Sequence, residues 1–245
     1  LWRPLLSPLP NDALDFRKRR TTWVPSLLHA VHRQSPEGHG VRLLFHIRWK
    51  PERIVDVLTG AGFSIGLSSQ EPDCIRVAAT TMRTLPDTVN SKMRLLVVGL
   101  NPSFHAADAG YGFAGPGNRF WSAALDAKLV TKDRDPLYAL QVDRVGMTDL
   151  VKRPTSRASE LTDLDYRIGL ARISRMCDWL SPEVVCVLGI TGWRAALGDS
   201  KLSLGPQSVR LGGRPVYVLP NPSGLNAHTN HGDLVRRFGE LPMSA

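Results

Sequence analysis

Three short apolar runs, each followed by a loop and then by a helical pattern, most constrain how this chain can fold. They lie at 95–100, 183–188 and 214–219. Each run has the length of a strand, and a nearly continuous apolar run is typical of a strand buried on both faces. Strands of this kind that alternate with helices predict a parallel sheet covered on both sides. We therefore expect residues 91–245 to form a three-layer α/β/α sandwich with a central, mostly parallel sheet.

Residues 1–90 show a different pattern and are expected to form an N-terminal α+β segment of unknown role. The predicted elements are a helix at 13–34, a strand at 41–49, a helix that starts at Pro51 and a strand at 75–82. This run weakly resembles the end of a class I methyltransferase. Since no glycine-rich loop for S-adenosylmethionine precedes it, we do not assign that activity. Residues 84–92 are interpreted as a linker.

The net charge favours a polyanionic partner. The chain has 31 Lys and Arg against 22 Asp and Glu, a formal net charge of +9. A basic protein of this kind suits nucleic acid above all. The densest basic cluster, Arg17–Arg20, lies in the first predicted helix. It forms either a solvated helix face or a patch that contacts DNA.

Composition also excludes several classes of protein. The three cysteines, Cys74, Cys177 and Cys186, form no CxxC pair, so a zinc finger or a four-cysteine cluster is excluded. Cys186 lies in an apolar run and is expected in the core. Unpatterned cysteines favour a reducing, cytosolic setting. No apolar stretch is long enough to cross a bilayer, and the N-terminus lacks a secretory pattern, so we expect no membrane partner.

Two loops that follow predicted strands carry the same Asn-Pro-Ser turn. The first lies in Gly99–Ser103 and the second in Asn221–Gly224. In a parallel sheet the carboxyl ends of the strands lie at one edge, where open α/β sheets bind their ligands. We therefore expect the two turns to converge on one crevice. The first loop continues into a glycine-rich stretch with the aromatic residues Tyr111, Phe113 and Phe120.

Four sequence blocks stand out within residues 94–245. They are GLNPS at Gly99–Ser103, FAGPGNRFW at Phe113–Trp121, GMTDLVKRPT at Gly146–Thr155 and NPSGLN at Asn221–Asn226. In this order they resemble the motifs of the mismatch-specific uracil-DNA glycosylase / thymine-DNA glycosylase family of the uracil-DNA glycosylase superfamily. Residues 1–90 lie outside the resemblance. It implies hydrolysis of the N-glycosidic bond of a mispaired or damaged base that is flipped out of duplex DNA.

The resemblance implies that Asn101 is the catalytic residue. A carboxamide is not a useful base, so its role must be to hold and polarise a water against the sugar C1′. The leaving base becomes negatively charged, and backbone N–H groups after Asn101 can stabilise that charge as an oxyanion hole does. Leu100, Pro102 and Ser103 flank Asn101 and are assigned to substrate binding. Ser103 replaces the glycine that is usual in the family.

Three further positions are assigned to the base pocket or its border. Phe113 falls where the family stacks an aromatic ring on the flipped base, a contact of roughly 1–3 kcal/mol; the alternative is a core aromatic. Asn118 either caps the next helix or reaches the pocket, while Phe120 and Trp121 are expected in the core. Asp149, where known members have Asn or Lys facing the base, is assigned as a second catalytic group. It reads a base N–H or orients water, or else is an exposed loop carboxylate.

The second motif implies contacts to the base pocket and to DNA. The residues assigned to DNA are Ser223, Gly224, Leu225, Asn226 and His228. Asn221 belongs to the pocket, and Ser223 with the loop amides is placed to contact phosphate. Leu225 matches the apolar wedge that replaces the flipped base. Related members have an arginine shortly afterwards, whereas this chain has Ala227. His228 either contacts phosphate or is a solvated loop histidine.

The sequence thus predicts a monofunctional, monomeric DNA glycosylase that acts on uracil, thymine or a related damaged base mispaired in duplex DNA. No metal or cofactor is expected, because water is the nucleophile. The enzyme would initiate base excision repair, in the cytoplasm and associated with the nucleoid in a prokaryote, or in the nucleus of a eukaryote. The alternative is a protein that binds DNA mismatches or damage with little or no turnover.

Overall fold

The structure of the protein, a computed structural model, describes residues 13–224, 226 and 229–243. The strands are β1 Ala13–Asp15, β2 Gly40–His46, β3 Phe63–Gln70, β4 Cys74–Thr81, β5 Leu95–Gly99, β6 Val145–Asp149, β7 Val184–Leu188, β8 Gly205–Pro206 and β9 Val216–Leu219. The helices are α1 Val24–Gln34, α2 Pro51–Gly60, α3 Phe104–Ala109, α4 Phe120–Asp126, α5 Pro136–Gln141, α6 Asp163–Leu180, α7 Ile190–Leu197 and α8 His231–Gly239. Short 3-10 helices lie at Thr21–Trp23 and Ala158–Glu160.

The larger sheet has the strand order β6-β5-β7-β9-β8. β5 pairs in parallel with β6 and β7, and β7 pairs in parallel with β9, whereas β8 at one edge is antiparallel. In the register of the sheet, Leu95 of β5 lies opposite Val145 of β6 and Val184 of β7. The predicted mostly parallel central sheet is confirmed. The carboxyl ends of its parallel strands share one edge, where a ligand site is expected.

The larger sheet is covered on both faces, which confirms the predicted layers. Successive side chains of a strand point to opposite faces, so Leu96 packs with α6 and α7 while Leu95 packs with α4 and α8. Phe120 and Trp121 lie in the second of these cores, as expected, and Cys186 is fully buried there. Among the helices of the described ranges, none is long and apolar enough to cross a membrane.

The smaller sheet belongs to the N-terminal module, residues 13–81. Its strand order is β1-β2-β4-β3, with β1 parallel to β2 and the other pairs antiparallel. Helices α1 and α2 share a core with this sheet, which includes Leu28, Leu43 and Leu58. The module is therefore an α+β unit with a core of its own.

Several predictions for the N-terminal module are wrong. The helix expected from residue 13 begins at Val24, after β1 and a turn in which Arg17 bonds the carboxylates of Asp15 and Asp73. The basic cluster therefore lies in a turn and not on a helix face. Strand β2 ends at His46 rather than at 49. The sequence also did not predict β3, because the segment after Phe63 is exposed and rich in Ser and Gly.

The segment interpreted as a linker is buried instead. Thr84 and Asp87 are each at most 5% exposed, and the backbone of Thr88 pairs with that of Met147 at the edge of β6. Its polar composition suggests a linker, yet these polar groups are hydrogen-bonded inside the protein. The two modules meet through this segment and through Trp179 of α6, which packs against both cores.

Two short helices lie in stretches without a helical pattern in the sequence. α3 follows the first Asn-Pro-Ser turn, in a stretch expected to be a loop, and α5 lies within residues 131–142. The carboxylate of Asp135 accepts the N–H of Tyr138 and caps α5, and Pro136 fills its first position. Six residues are too few for a helical apolar period to be recognised.

Candidate active site

The loop after β5 runs beside the loop after β6 and brings the first Asn-Pro-Ser turn against it. The N–H of Leu150 donates to the carbonyl of Gly99 at 2.9 Å, and the N–H of Thr155 donates to the carbonyl of Pro102 at 3.3 Å. These bonds continue the pairing of the two strands beyond their ends. Asn101 is thereby placed between the two loops at the edge of the sheet.

The side-chain amide of Asn101 is held in one orientation. Its Nδ2 donates to Thr155 Oγ1 at 2.8 Å and to the carbonyl of Arg153 at 3.2 Å. The hydroxyl of Thr155 donates to the carbonyl of Arg157 at 2.9 Å, so its oxygen is left to accept from Asn101. No residue that the structure describes donates a hydrogen bond to Asn101 Oδ1. The amide oxygen is therefore available to an external donor.

Gly99, the last residue of β5, is where Asp149 and Phe113 approach the sheet. A Cβ at this position would collide with the Asp149 carboxylate and lie 3.6 Å from the Phe113 ring, so only glycine leaves the necessary room. Phe113 has a φ of 61°, which a bulky residue adopts only where its surroundings fix it. Its ring stacks on Phe120 with the centroids 4.2 Å apart. The ring is half-buried and supported by the core on one side.

Asp149 is the last residue of β6 and is only 7% exposed. The alternative of an exposed loop carboxylate is therefore wrong. Within the described ranges its carboxylate accepts no hydrogen bond, and Lys152 Nζ lies 3.9 Å from Oδ2. Burial raises the pKa of Asp149 to about 6; the charges of Lys152 and Arg172 oppose this rise, and that of Asp87 adds to it.

A buried ionic cluster lies behind Asp149. Asp87 accepts hydrogen bonds from Lys152 Nζ at 2.8 Å, from Arg172 Nη1 at 2.7 Å and from Thr148 Oγ1 at 2.6 Å. Arg172 also donates to the backbone carbonyl of Asp149 at 2.8 Å. Burial alone would raise the pKa of Asp87, but the two cations and the hydrogen bonds outweigh it and lower that pKa. The cluster therefore contains one carboxylate that is fully paired and one that is not.

The sequence did not single out Asp87, Lys152 or Arg172. Lys152 stands inside one of the four blocks, but a lysine followed by an arginine in a loop is normally exposed. Asp87 lies in the segment interpreted as a linker. Their burial becomes visible only once α6 is placed beside β6.

A small cavity lies beside Asp149 and Phe113. It leaves about 10 Å³ for the centre of a water molecule, which is room for a single water. The segment with Leu85 and Pro86 forms one part of its wall, and the loop with Tyr111 forms another. A pyrimidine is larger than this space, so a base can enter only when part of the wall moves.

Three residues assigned to the substrate have local structural roles. Ser103 Oγ accepts the N–H three residues later at 3.1 Å and caps α3. The side chain of Leu100 packs so closely on Gly189 that a Cβ there would be 3.2 Å away. Asn118 Oδ1 accepts the first N–H of α4 at 3.0 Å, although the N-cap itself is the next residue.

The second Asn-Pro-Ser turn is closed by its own side chains. Asn221 Oδ1 accepts the N–H of Ser223 at 2.9 Å, and Asn226 Nδ2 donates to the carbonyl of Asn221 at 2.9 Å. Asn226 Nδ2 also reaches Thr229 Oγ1 at 3.3 Å. Asn221 and Asn226, which the sequence assigned to ligands, therefore shape the loop.

Arg119 joins the two loops. Its guanidinium donates to the carbonyl of Ser223 at 2.7 Å, to that of Asn226 at 2.8 Å and to that of Thr229. Nearby, Gly117 and Gly224 touch so closely that a Cβ on Gly224 would be 2.8 Å from the carbonyl oxygen of Gly117. The second loop therefore meets the glycine-rich stretch that follows the first turn, whereas the convergence of the two turns themselves on one crevice stays a prediction. Sequence reasoning missed Arg119, although it stands inside the block FAGPGNRFW.

Leu225 and His228, assigned to the wedge and to phosphate, lie outside the described residues. Their roles remain predictions. Ser223 and Gly224 are described and lie at the edge next to them, half-buried and exposed respectively.

Within the described ranges, one group of potential metal ligands comes together, and it lies in the N-terminal module. It consists of Glu71, Asp73 and Cys74. Arg76 bonds the Glu71 carboxylate at 2.8 Å, and Arg17 bonds the Asp73 carboxylate at 2.8 Å. Both acids thus have cationic partners already, and the group is not part of the sheet edge described above.

Comparison with known protein families places this edge in context. Residues 86–240 match the family model described as the uracil DNA glycosylase superfamily. The match covers more than half of the chain and contains both Asn-Pro-Ser turns, Phe113 and Asp149. It begins five residues before the domain boundary expected at 91, within the buried segment that contains Asp87.

Proposed function

The chain belongs to the uracil DNA glycosylase superfamily, and on this premise we propose that it is a monofunctional DNA glycosylase that removes uracil or thymine mispaired in duplex DNA. The reaction is hydrolysis of the N-glycosidic bond, with release of the free base and an abasic site. The family supports a hydrolase that acts on DNA. The base, the mispair and the roles of individual residues are our proposal.

The observation that carries the proposal is the free Oδ1 of Asn101 at the sheet edge. Because Thr155 holds the amide nitrogen, Asn101 Oδ1 can accept a hydrogen bond from a water molecule. This bond orients the water so that a lone pair of the water oxygen faces the sugar C1′. The amide cannot take up the water's proton near neutral pH. Cleavage of the N-glycosidic bond therefore runs ahead of the attack by water, and the rate of base release depends strongly on how easily the base leaves as an anion.

The base is proposed to bind where Phe113 and Asp149 flank Gly99. The Phe113 ring, which Phe120 supports, offers a stacking surface. The Asp149 carboxyl lies at the edge of the same space and can accept a base N–H; when protonated it can also donate to a carbonyl oxygen. Both features suit a pyrimidine with alternating carbonyl and N–H groups, such as uracil.

The tight cavity favours bases that flip easily. Flipping costs a few kcal/mol and costs least for a mispaired base. In this protein the wall of the cavity must also move before the base can bind. The cost of moving the wall is the same for every uracil, so the difference in flipping cost gives the expected discrimination in favour of mispaired over paired uracil.

The test is a panel of labelled duplexes with uracil or thymine opposite guanine, uracil opposite adenine, and single-stranded uracil. Alkali-labile breaks report base release under single-turnover conditions. We expect uracil opposite guanine to be cleaved faster than uracil opposite adenine. Mismatch-selective binding without breaks on any substrate would refute the enzyme and favour a damage-binding protein.

A further inference from the structure

The unused part of the site is the buried cluster behind Asp149. Asp87, which supplies its fully paired carboxylate, lies in the segment that walls the cavity and joins the two modules. We propose that Asp87 is a positioning residue for base recognition: by holding the ammonium of Lys152 away from Asp149, it lets the Asp149 carboxyl meet the flipped base as a neutral hydrogen-bond donor. This inference rests on the proposed function.

The ammonium group of Lys152 lies much closer to the carboxylate of Asp87 than to that of Asp149. Lys152 Nζ is 2.8 Å from Asp87 Oδ1 but 3.9 Å from Asp149 Oδ2. The shorter distance is a charge-assisted hydrogen bond, and the longer one is too long for a hydrogen bond. Thus Lys152 neutralises Asp87 and gives Asp149 only a distant positive charge.

The surroundings of Asp87 keep it in this role. Arg172 Nη1 from α6 and Thr148 Oγ1 from β6 also bond its carboxylate, at 2.7 and 2.6 Å. On its backbone side, the carbonyl of Asp87 contacts His29 Nδ1 of α1 at 3.0 Å. Burial lowers the pKa of His29 to about 4, so this histidine adds no charge near neutral pH. The segment is fixed to both modules by these contacts.

The charged groups that face Asp149 are therefore Lys152, Asp87 and Arg172. Burial raises the pKa of Asp149, as stated above, and the Asp87 charge adds to that rise. Arg172 donates a hydrogen bond to the backbone carbonyl of Asp149 and not to its carboxylate. The carboxyl is left with its proton over a wider pH range than an ordinary aspartate.

The protonation of Asp149 matters for the reaction because the base departs as an anion. A neutral carboxyl can donate a hydrogen bond to a base carbonyl whose negative charge grows as the bond breaks. An ionised carboxylate beside that oxygen would repel it. Excision of uracil should therefore fall as the pH rises through the pKa of Asp149, about 6, and Asp149→Asn, which stays neutral, should lack this decline.

The test compares Asp87→Asn with Lys152→Met. Asp87→Asn removes a negative charge and releases Lys152 toward Asp149. The decline of uracil excision should move to lower pH, by roughly one unit or more for an opposite charge within about 4–6 Å. Lys152→Met removes the nearest cation, and the decline should move to higher pH. Thr131→Val removes a hydroxyl that bonds Asp143, before the start of β6 and away from the cluster, and changes no charge; it is the control, whose midpoint should stay within a few tenths of a unit.

A second readout does not need activity. The carboxyl ¹³C resonance of Asp149, assigned by its loss in Asp149→Asn, can be titrated in the free protein. Equal Asp149 midpoints in wild type and in Asp87→Asn would overturn the inference, and so would shifts of the same sign in Asp87→Asn and Lys152→Met. If Asp87→Asn does not fold, Lys152→Met is compared with Thr131→Val, and an unchanged Asp149 midpoint in Lys152→Met would overturn the inference. Absence of base release on every duplex would refute the proposed function instead, while the resonance still tests the cluster.

Discussion

The two Asn-Pro-Ser turns have the same sequence but form different hydrogen bonds. In the first, Asn101 gives its Nδ2 to Thr155, and its Oδ1 has no donor among the described residues. In the second, Asn221 Oδ1 accepts the N–H of Ser223 and closes its own turn. Of the two amide oxygens, the first alone has no donor in the described part of the chain and can hold a water. The same three residues therefore take part in the proposed chemistry in the first loop and stabilise the loop conformation in the second.

The supports of the two loops differ as well. Arg119, which lies inside the sheet domain, holds the second loop through three carbonyl groups. The outer part of the first loop is supported by Arg83, which follows the N-terminal module and pairs with Asp108 of α3 at 2.7 Å, with both side chains about half exposed. Exposed pairs contribute little to stability. The second loop is therefore fixed more firmly than the helix that follows Asn101.

The largest effect should separate the two asparagines. Asn101→Ala should lower single-turnover base release by roughly a hundredfold to a thousandfold, the loss seen when one oriented polar group is removed from a reaction site. Binding to an uncleaved duplex should change less than twofold, because Asn101 serves the water. Asn221→Ala is the matched variant and should keep most of the cleavage rate while losing about 1 kcal/mol of stability. Equal rates in Asn101→Ala and wild type would refute the assignment.

Arg119→Met should have the next largest effect. It keeps much of the side-chain volume but leaves three carbonyl groups without their donor. We expect a loss of about 3 kcal/mol in the free energy of unfolding, the upper range for hydrogen bonds to a charged group. DNA affinity should fall with it, because the second loop loses its shape. A chemical denaturation curve that matches that of the wild type would show that the three hydrogen bonds from Arg119 do not stabilise the protein.

Thr155→Val tests the orientation of the Asn101 amide. Valine has nearly the same shape but cannot accept the Nδ2 hydrogen bond. We expect base release to slow about tenfold, equivalent to about 1.4 kcal/mol, with DNA affinity unchanged. Thr131, whose hydroxyl bonds Asp143 far from this edge, offers Thr131→Val as a control for general loss of stability. If the control slows base release as much, the effect is not one of orientation.

Arg83→Ala should have the smallest effect. The exposed pair with Asp108 and the contact of Arg83 with the Phe104 ring, 5.0 Å to the centroid, contribute little to stability because water screens them. The melting temperature should fall by a few degrees at most, and base release should stay within about threefold of wild type. A loss as large as that of Arg119→Met would show that the first loop depends on Arg83 as strongly as the second depends on Arg119.

Much of the sheet domain could be predicted because its signals are local. Continuous apolar runs at 95–100, 183–188 and 214–219 predicted β5, β7 and β9. The N-terminal module was predicted less well, since β3 is exposed and has no clear pattern, and α1 begins later than its composition suggests. The interpretation of 84–92 as a linker is wrong because a polar residue in a sequence does not show whether its side chain will form hydrogen bonds with water or with buried protein groups.

The sequence by itself determined the parallel sheet and the two motif loops at its carboxyl edge, because apolar periodicity and turn residues act over a few neighbouring positions. Only the tertiary structure decided which asparagine keeps a free oxygen, and that Asp87, Lys152 and Arg172 meet behind Asp149. These outcomes depend on contacts between segments that are distant in the chain, as between Asp87 and Arg172. Burial then changes the chemistry of the same side chains, since the pKa of a carboxyl removed from water without a close partner rises, and the carboxyl keeps its proton to higher pH.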